Sequence, residues 1–506
     1  MMELLTNFAI GLETAITPVN LLYCFAGVFV GMVVGVLPGI GPLTAISMLL
    51  PLTYHFDPTT ALIMLGGIWY GTAYGGSTTA ILLNIPGSTS SAVACLDGYP
   101  MGQQGRGGVA LLMTTVASFI GASIAIVILM VFAPVIAEYA LQFGPADYFS
   151  LMLLGLVAAS AISDGSAAKG LAMVVLGIVL GTAGMDIYSG QTRFNFGILE
   201  LSNGISLVAL AMGLFGIAEV VWSVGDSERK PIDRASVSLR AMRPRRDDLD
   251  RSWMPILRGT AIGSFFGTLP GTGPSIASFM AYALEKRVAK EPLRFGKGAI
   301  EGVVAPEAAN NAADQTAFIP TLALGIPGSA TMALMLGALI INGIAPGPTL
   351  MTTQPTLVWG LIMSFWIGNL MLLVLNIPMI GFWVRLLLVP YNLLFPAILV
   401  FICIGTYSLN SSSFDVMLVV FFGALGCLMR VLVFPAAPLL LGFVLGPLME
   451  EHFRRAMLLS RGDFMTFFER PISATVMAIS AVLLLWALAG PLVAARRKAA
   501  PKSQDA

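Results

Sequence analysis

The pentapeptide PGIGP at residues 38–42 occurs a second time as PGTGP at residues 270–274. Each copy follows a Gly-X-Leu triplet and lies within strongly apolar sequence. Proline removes a backbone N–H donor and glycine lets the chain turn, so each copy predicts a break in a membrane helix. At membrane depth, the backbone groups freed by a break persist only where they line a cavity or meet a ligand. A kinked packing helix is the alternative for either copy alone, and two matched copies disfavour it.

Composition indicates a polytopic membrane protein. Only 11% of the 506 residues are charged, against about a quarter in a soluble domain, and 57% are hydrophobic. Tracts without Asp, Glu, Lys or Arg, such as 108–137, 354–384 and 471–495, exceed the roughly 20 residues that span hydrocarbon. We therefore predict an all-α polytopic membrane protein with about 12 transmembrane segments, among them broken or re-entrant helices.

Several functions are excluded by composition and motifs. The formal net charge is zero, which implies no bulk attraction to nucleic acid. The four cysteines are isolated and His55 lies far from His452, so neither a disulfide framework nor a zinc site is predicted. The glycine-rich run 102–108 lacks the Gly-Lys-Ser/Thr end of a phosphate-binding loop, and no hydrolase motif occurs. We expect neither an enzyme nor a bound cofactor.

The two halves of the chain repeat the same motifs in the same order. The Pro-Gly pentapeptides are 232 residues apart, and Pro-Gly-Ser at 86–88 recurs 241 residues later at 327–329. A weaker third match pairs Gly98 and Gly102 with glycines 245 residues later. This order predicts an internal duplication. The predicted divisions are a first transmembrane repeat at 1–224, a charged cytoplasmic linker at 225–253, a second repeat at 254–449, and a polar loop, final helix and basic tail at 450–506.

Charge predicts that the two repeats are inverted. The loop 286–297 holds five Lys or Arg residues, whereas the matched loop 54–58 holds none. Basic loops remain cytoplasmic, so these loops are expected on opposite faces of the membrane. If one span separates the loop 450–470 from the tail at 496–506, both cannot be cytoplasmic, and we place the more basic tail inside. Inverted repeats would expose the same substrate site first to one side of the membrane and then to the other.

The most polar stretch at membrane depth, EGVVAPEAANNAADQT at 301–316, predicts an ion site. If it is helical after Pro306, then Glu307, the following asparagines and Asp314 share one face, which should line the bundle interior or a cavity. For Glu301 and Glu307, a solvated helix start beside the cytoplasmic loop is an alternative of similar weight. Asp314 lies two turns deeper. The predicted ion-coupling residues are Asn310, Asn311 and Asp314, with Na⁺ near Asp314 or a proton as the coupling ion.

The helix breaks favour an anionic substrate. They are rich in hydroxyls and supply half-helix N-termini, where free N–H groups and the positive end of the dipole hold carboxylates. No arginine is evident at the breaks. The predicted substrate-binding residues are Pro38, Gly39, Gly41, Thr44, Asn84, Pro86, Gly87, Ser88, Gly271, Thr272, Gly273, Ser275, Pro327, Gly328 and Ser329.

Six ordered motifs resemble the TctA family, the large membrane subunit of bacterial tripartite tricarboxylate transporters. They are GVLPGIGP at 35–42, YGTAYGGS at 70–77, NIPGS at 84–88, LPGTGP at 269–274, EGVVAPEAANNA at 301–312 and GIPGS at 325–329. The resemblance covers nearly the whole chain. It implies a secondary transporter subunit, a permease driven by an ion gradient.

The resemblance also implies partners and a location. It implies a small TctB-like membrane subunit, a periplasmic TctC-like solute-binding protein that delivers carboxylates such as citrate, and a multi-pass place in the bacterial inner membrane. It leaves the particular organic acid and the choice of Na⁺ or H⁺ open. By analogy with other transporters that have inverted repeats and hairpin tips, an elevator-like movement is expected. The competing hypothesis is a membrane-embedded scaffold or enzyme subunit without translocation of its own, for which the sequence offers no catalytic constellation.

Overall fold

The computed structural model describes residues 2–37, 40–162, 166–186, 188–223, 241–269, 273–387, 389 and 391–499. Helices dominate it, as the apolar composition predicts. The first ten are α1 (Met2–Ala15), α2 (Pro18–Gly35), α3 (Pro42–Thr53), α4 (Pro58–Leu83), α5 (Ala92–Met101), α6 (Gly107–Ala140), α7 (Pro145–Ile162), α8 (Ala167–Gly181), α9 (Leu207–Ala211) and α10 (Ala218–Ser223).

The remaining helices belong to the second half of the chain. They are α11 (Arg246–Gly267), α12 (Gly273–Val288), α13 (Glu301–Thr316), α14 (Phe318–Leu324), α15 (Ala330–Ile341), α16 (Leu350–Thr353), α17 (Pro355–Asn376), α18 (Ile380–Leu386), α19 (Tyr391–Asn410), α20 (Ser413–Val431), α21 (Ala436–Leu459), α22 (Thr466–Glu469) and α23 (Pro471–Ala499).

Shorter elements connect these helices. Two short strands, β1 (Gly184–Met185) and β2 (Thr192–Arg193), pair antiparallel. Turns of 3₁₀ helix lie at Glu200–Asn203 and Pro292–Arg294, and π-helical turns lie at Gly102–Arg106 and Met212–Ile217. Residue 224, residues 225–240 of the predicted linker and residues 500–506 of the basic tail lie outside the described residues.

Five helical stretches among the described residues are long and apolar enough to cross a membrane. They are Pro18–Gly35, Ala92–Ala140, Pro355–Asn376, Ser413–Val431 and Pro471–Ala489. Six further apolar helices have 10–17 residues. This architecture agrees with a helical membrane protein that contains broken helices, while the count of about 12 spans stays a prediction.

Packing divides the chain into two compact units. The first unit comprises Met1–Leu141 and Val208–Cys427, and the second comprises Gln142–Leu207 and Leu428–Ala506. Every described residue of the predicted site belongs to the first unit. The predicted boundaries after residues 224, 253 and 449 separate the sequence repeats rather than packing units, and they stay a prediction.

The second unit is built on helices α7, α8, α21 and α23. Gly177 of α8 and Gly442 of α21 allow these two helices to pack backbone against backbone. Asp147 at the start of α7 is buried and forms an ion pair of 2.6 Å with Arg470. Its carboxylate also accepts the backbone N–H groups of Gly144 and Ser473. The ion pair and these N–H bonds together hold the start of α7 to the start of α23.

In the first unit, glycines bring α2 against α4 and α11 against α13. A β-carbon added at any of these glycines would overlap a backbone carbonyl oxygen of the facing helix. The pairs in the first half are Gly27 with Met64, Gly31 with Ile68 and Gly35 with Thr72, and those in the second half are Gly259 with Ala305, Gly263 with Ala309 and Gly267 with Ala313. The glycines of the two halves are 232 residues apart and their partners are 241 residues apart.

Asp97 near the end of α5 fastens that helix to the loop that precedes α13. Its side chain is 0% exposed. One carboxylate oxygen, Oδ1, accepts the backbone N–H groups of Gly298 and Ala299 at 2.8 Å each, and Oδ2 accepts the hydroxyl of Tyr282 at 2.9 Å. Since an ionised carboxylate can only accept hydrogen bonds, three donors suit it well. The contact joins the two halves of the sequence inside the first unit.

We expect Asp97→Ala to destabilise the protein in detergent. The substitution deprives three buried donors of their acceptor, and each unsatisfied group costs about 1–3 kcal/mol. Asp97→Asn retains one acceptor oxygen and should lose less. The apparent melting temperature, followed by size-exclusion of a fluorescent fusion, measures the effect, with Glu138→Ala at an exposed position as the control. Equal melting temperatures for Asp97→Ala and the control would contradict the expectation.

Candidate functional site

Four segments between helices of the first unit contain most of the predicted substrate residues. We call them the first break (36–41), the second break (84–91), the third break (268–272) and the fourth break (325–329). The second break begins with Asn84 and the fourth with Gly325, both in the left-handed conformation with φ of 58° and 71°. A left-handed residue ends a helix and turns the chain away from its axis. Asn84 and Gly325 are 241 residues apart, the spacing of the Pro-Gly-Ser motifs.

The first and second breaks are in contact. A β-carbon added at Gly41 would lie 2.9 Å from the carbonyl oxygen of Gly87 and 3.5 Å from Cβ of Ser88. A β-carbon added at Gly87 would in turn lie 3.6 Å from the carbonyl oxygen of Gly35 and 2.7 Å from Cα of Gly76. Glycine at position 87 is therefore required by the close approach of the backbone at Gly76.

The fourth break makes the corresponding contacts in the second half. A β-carbon added at Gly273 would lie 3.8 Å from Cβ of Ser329. One added at Gly328 would lie 3.4 Å from the carbonyl oxygen of Gly267 and 3.6 Å from Cβ of Ala317. Each of these residues lies 232 or 241 residues after its counterpart in the first half, so the two pairs of breaks are assembled by matching residues.

A hydroxyl pair joins the two halves of the site. The hydroxyl oxygens of Thr89, in the second break, and Ser275, in the first turn of α12, are 2.6 Å apart. Both side chains are exposed at this contact. Through this pair, the contacts between the breaks form one connected group, which brings together predicted residues from both halves.

The described part of the chain contains eleven of the predicted substrate residues. Pro38, Gly39, Gly271 and Thr272 lie outside the described residues. Among the others, Thr44 is buried and donates its hydroxyl to the carbonyl of Phe215 at 3.2 Å, and thus faces the π-helical turn Met212–Ile217. The structure therefore does not place the Thr44 hydroxyl among the groups that join the breaks.

Serine hydroxyls of the second and fourth breaks accept backbone N–H groups, and one of them caps the helix that follows. Ser329 Oγ accepts the backbone N–H of Met332 at 3.2 Å, at the start of α15. Ser88 Oγ lies 2.9 Å from Ser90 Oγ, and Ser91 Oγ accepts the backbone N–H of Ser88 at 3.0 Å. The Ser329 hydroxyl satisfies an N–H group that a helix start leaves free, whereas the hydroxyls of the second break bond within the break itself.

Helix α13 carries the predicted ion-coupling residues. It begins at Glu301 and continues through Pro306, rather than starting after the proline. Glu301 is 14% exposed at this end and lies 3.4 Å from Arg251. The polar side chains further along are 2–3% exposed, so Glu307 is buried and not part of a solvated helix start. These buried polar side chains are Glu307, Asn310, Asn311 and Asp314.

Asp314 and Asn310 each have a buried oxygen atom, Oδ1, that accepts no hydrogen bond from the described residues. They are four residues apart, so they lie on one face of α13. The indole of Trp69 on α4 lies beside the Asp314 carboxylate. One carboxylate and one amide oxygen are suitable ligands for a hard cation. Within the described chain, no group of three or more His, Cys, Asp or Glu residues is positioned to hold a metal.

Glu307 and Asn311 form a second polar group on the same helix. Glu307 Oε1 accepts the hydroxyl of Ser77 on α4 at 2.9 Å, and Oε2 accepts the hydroxyl of Ser118 on α6 at 3.5 Å. Asn311 Nδ2 donates to Ser118 Oγ at 2.8 Å. Ser118 was not predicted from the sequence, because one serine in an apolar helix carries no pattern.

Two asparagines of α17 connect the helices around this group and were also missed. Asn369 Oδ1 accepts the hydroxyl of Tyr74 at 2.8 Å, and its Nδ2 donates to the carbonyl of Phe119 at 3.1 Å. Asn376 Nδ2 donates to the hydroxyl of Thr115 at 2.6 Å. Two amides seven residues apart in an otherwise apolar helix are the signal that would have indicated them.

Comparison with known proteins identifies the family. The sequence model of the tripartite tricarboxylate transporter TctA family matches residues 21–441. An Agrobacterium vitis protein described as "Uncharacterized 52.8 kDa protein in TAR-I ttuC' 3'region" is 51% identical over 488 residues, which cover 96% of this chain and 97% of that protein. A second protein of that organism, "Uncharacterized protein in TAR-II ttuC' 3'region", is 54% identical over 226 residues, or 45% of this chain and 93% of its own length.

No solved structure matches this chain significantly. The family match confirms the resemblance of the six motifs and the expectation of a transport protein rather than an enzyme. The chain belongs to the tripartite tricarboxylate transporter TctA family, the transporter component of tripartite tricarboxylate transporters.

Proposed function

We propose that this chain is the permease subunit of an ion-gradient-driven secondary transporter that takes up tricarboxylates or related, citrate-like organic acids. The observation that carries the proposal is the connected group of contacts among the first, second and fourth breaks and the start of α12, which lies in the same compact unit as a buried polar stripe. Broken helices that meet in pairs are how secondary transporters build a substrate site at membrane depth. A scaffold without translocation of its own has no use for such a site.

Matched helix packing supports two inverted repeats. Three glycines in each half meet backbone carbonyls at constant spacings of 232 and 241 residues, as do the glycines of the breaks. A chance resemblance between short motifs would not reproduce the contacts of each motif as well. The contrast between the basic loop 286–297 and the loop 54–58, which has no Lys or Arg, supports their opposite orientation.

The substrate carboxylates bind, in this proposal, at the helix starts beside the breaks. Helices α3, α5, α12 and α15 each have ten or more residues and begin at a break. Their first N–H groups and the positive ends of their dipoles favour an anion without requiring an arginine. The Thr89 and Ser275 hydroxyls, 2.6 Å apart and exposed, are further donors within the same group.

The second and fourth breaks differ in exposure, which supports access from one side at a time. Asn84 and Pro86 in the second break are exposed, whereas their counterparts Gly325 and Pro327 in the fourth break are buried. Equivalent positions of inverted repeats become unequal when the site opens toward one face only. Alternate exposure of the two breaks would carry the substrate across.

The coupling cation binds at Asp314 and Asn310, and Na⁺ suits this pair better than a proton. Their unpartnered Oδ1 atoms lie on one face of α13, and backbone carbonyls at the nearby helix ends would complete the coordination. A buried carboxylate at membrane depth requires a cation or a proton. We further propose that the chain lies in the bacterial inner membrane with a TctB-like subunit and a periplasmic TctC-like binding protein.

Uptake into proteoliposomes tests the function. The chain is reconstituted with its small membrane subunit, and labelled citrate and a panel of other organic acids are added with the periplasmic binding protein. We expect uptake that requires both the binding protein and an imposed Na⁺ or proton gradient. Liposomes without a gradient and liposomes without the binding protein are the controls. Absence of uptake for every acid under all these conditions would favour the scaffold hypothesis.

Cysteine labelling tests the inverted orientation. In a variant with its four cysteines replaced, His55→Cys and Lys290→Cys place single thiols in the two matched loops, both at exposed positions. We expect a membrane-impermeant maleimide to label position 55 in intact spheroplasts and position 290 only after permeabilisation, because the basic loop remains cytoplasmic. Labelling of both thiols from the outside would exclude inverted repeats.

A further inference from the structure

We infer that Glu307 is a proton-binding site of the transporter, separate from the cation site at Asp314, and that it exchanges its proton in hydrogen-bonded contact with Ser77. This inference rests on the proposed transport function. Glu307 binds a proton from the water on one side of the membrane and releases it to the other side during the transport cycle. The step involves one proton and no change of oxidation state.

The position of Glu307 makes a permanent charge costly. The side chain is 2% exposed, and within the described residues it has no ion-pair partner. Its hydrogen-bond donors, Ser77 and Ser118, are neutral hydroxyls. Neutral donors compensate only part of the solvation that a carboxylate loses on burial, so the protonated form is accessible there.

The Ser77 hydroxyl can serve both protonation states of Glu307. It lies 2.9 Å from Glu307 Oε1 and 3.4 Å from the carbonyl oxygen of Ala73, one turn earlier on α4. When Glu307 is ionised, Ser77 donates its proton to Oε1. When Oε1 carries a proton, the carboxyl donates to Ser77 Oγ, and the Ser77 hydroxyl turns to the Ala73 carbonyl. Neither state leaves a buried donor without an acceptor.

The other carboxylate oxygen lacks this freedom. Ser118 Oγ accepts the amide of Asn311 at 2.8 Å and directs its own proton to Glu307 Oε2. A proton on Oε2 would have to displace the Ser118 donor, and the described structure provides that hydroxyl with no second acceptor. The proton therefore binds Oε1, on the side of Ser77.

The contrast with Asp314 separates the two sites. Both carboxylate oxygens of Glu307 have a hydroxyl donor, whereas Asp314 Oδ1 and Asn310 Oδ1 accept no hydrogen bond from the described chain. A metal cation needs several oxygen atoms with free lone pairs, and a proton needs one oxygen atom and one acceptor. Glu307 therefore has the surroundings that a proton needs, and Asp314 has the free oxygen lone pairs that a metal cation needs.

The charge of Glu307 acts on three titratable groups near it. They are Tyr74 on α4, Cys95 on α5 and Asp314 on α13 itself. All three side chains are neutral when protonated and negative when ionised, so none of them stabilises the ionised form of Glu307. A cation bound at Asp314 would reduce the repulsion between the two carboxylates and thus couple the two sites electrostatically.

Charged groups on the other helices that pack against α13 are engaged elsewhere. On α11 and α12, Arg258 and Glu285 form an ion pair of 2.6 Å with each other. Arg251 of α11 contacts Glu301 at the start of α13, two turns before Glu307. The acidic and phenolic groups of α6 are Glu138 and Tyr139, about twenty residues beyond Ser118, and α14 has no titratable group. None of them replaces the missing counter-charge.

Substrate-driven proton movement in proteoliposomes tests the site. A trapped pH-sensitive dye reports protons while labelled organic acid reports uptake. We expect Glu307→Gln, which mimics the protonated carboxyl, to exchange substrate and to keep its dependence on the coupling cation, but to move no protons and to lose the pH dependence of uptake. Thr114→Ala, which removes a hydroxyl bonded within α6 one turn before Ser118, is the matched control and should behave as wild type.

Two further variants keep the test decisive. Ser77→Ala should retain transport but shift the pH midpoint of uptake, since the ionised carboxylate loses a charge-assisted donor and the protonated carboxyl loses only a neutral acceptor, so the two losses do not cancel. This measurement decides the matter if Glu307→Gln does not insert. Asp314→Asn should retain the pH dependence. Wild-type proton movement in Glu307→Gln, or an unchanged pH midpoint in Ser77→Ala, would overturn the inference. Absence of uptake in the wild type would instead contradict the proposed transport function.

Discussion

Gly263→Leu is expected to prevent accumulation of the folded transporter, and Gly31→Leu, its counterpart 232 residues earlier, is expected to do the same. A β-carbon alone at Gly263 would overlap the carbonyl oxygen of Ala309, and one at Gly31 would overlap that of Ile68. These obstacles are helix backbone, which cannot move aside as a side chain can. Overpacking of a core typically costs about 1–3 kcal/mol even where side chains can adjust, and rigid backbone raises that cost.

The size of the effect follows from the marginal stability of proteins. A domain is stable by about 5–15 kcal/mol, and separating α11 from α13 or α2 from α4 would also remove the neighbouring glycine contacts. We expect little monodisperse protein when a fluorescent fusion is extracted in mild detergent. Gly381→Leu is the matched control, because nothing lies within 4 Å of a β-carbon at this exposed helical glycine. A Gly263→Leu protein that elutes and transports like the control would contradict the packing described for α11 and α13.

Asp314→Asn is expected to abolish the dependence of uptake on the coupling cation while partial exchange of preloaded substrate remains. The residue 241 positions earlier is Ala73, so the Pro-Gly motifs occur twice in the sequence at this spacing and the charge occurs once. A binding motif that occurs in both halves of the sequence can bind more than one carboxylate of a substrate. A charged residue that occurs in one half only is better explained as a ligand of the coupling cation. Burial of an unpaired carboxylate in hydrocarbon costs roughly 2.5 kcal/mol or more, so Asp314 requires a partner cation during the cycle.

Uptake measured against external Na⁺ at constant membrane potential checks this expectation. In wild type, uptake should rise with Na⁺, and in Asp314→Asn it should be low and independent of Na⁺. Glu301→Gln is the control, because Glu301 lies beside Arg251 at the start of the same helix and away from the unpartnered oxygens. If Asp314→Asn retains the wild-type Na⁺ dependence, the cation site must lie among the backbone carbonyls at the breaks.

Local chemistry made the class of protein and the positions of the breaks predictable. Apolar tracts of membrane length, proline and glycine within them, and motifs repeated at constant spacing are visible without coordinates. The polar face of α13 was also predictable, because side chains three or four residues apart on a helix share a face. Its start at Glu301 was not, since the sequence favours a helix that begins at or after Pro306, and the structure carries the helix through that proline.

What the polar groups do was decided by the tertiary structure. Glu307 meets Ser77 across 230 residues of sequence and Ser118 across 189, and Thr44 meets Phe215 across 171. Helical periodicity relates residues within one helix, whereas these contacts depend on which helices pack together and at what height. Thus the sequence by itself determined the membrane class, the repeated breaks and the polar stripe. Only the packing of helices decided that Glu307 is buried among hydroxyls and that one Asp314 oxygen accepts no hydrogen bond. The burial of a side chain depends on residues distant in sequence that folding brings next to it.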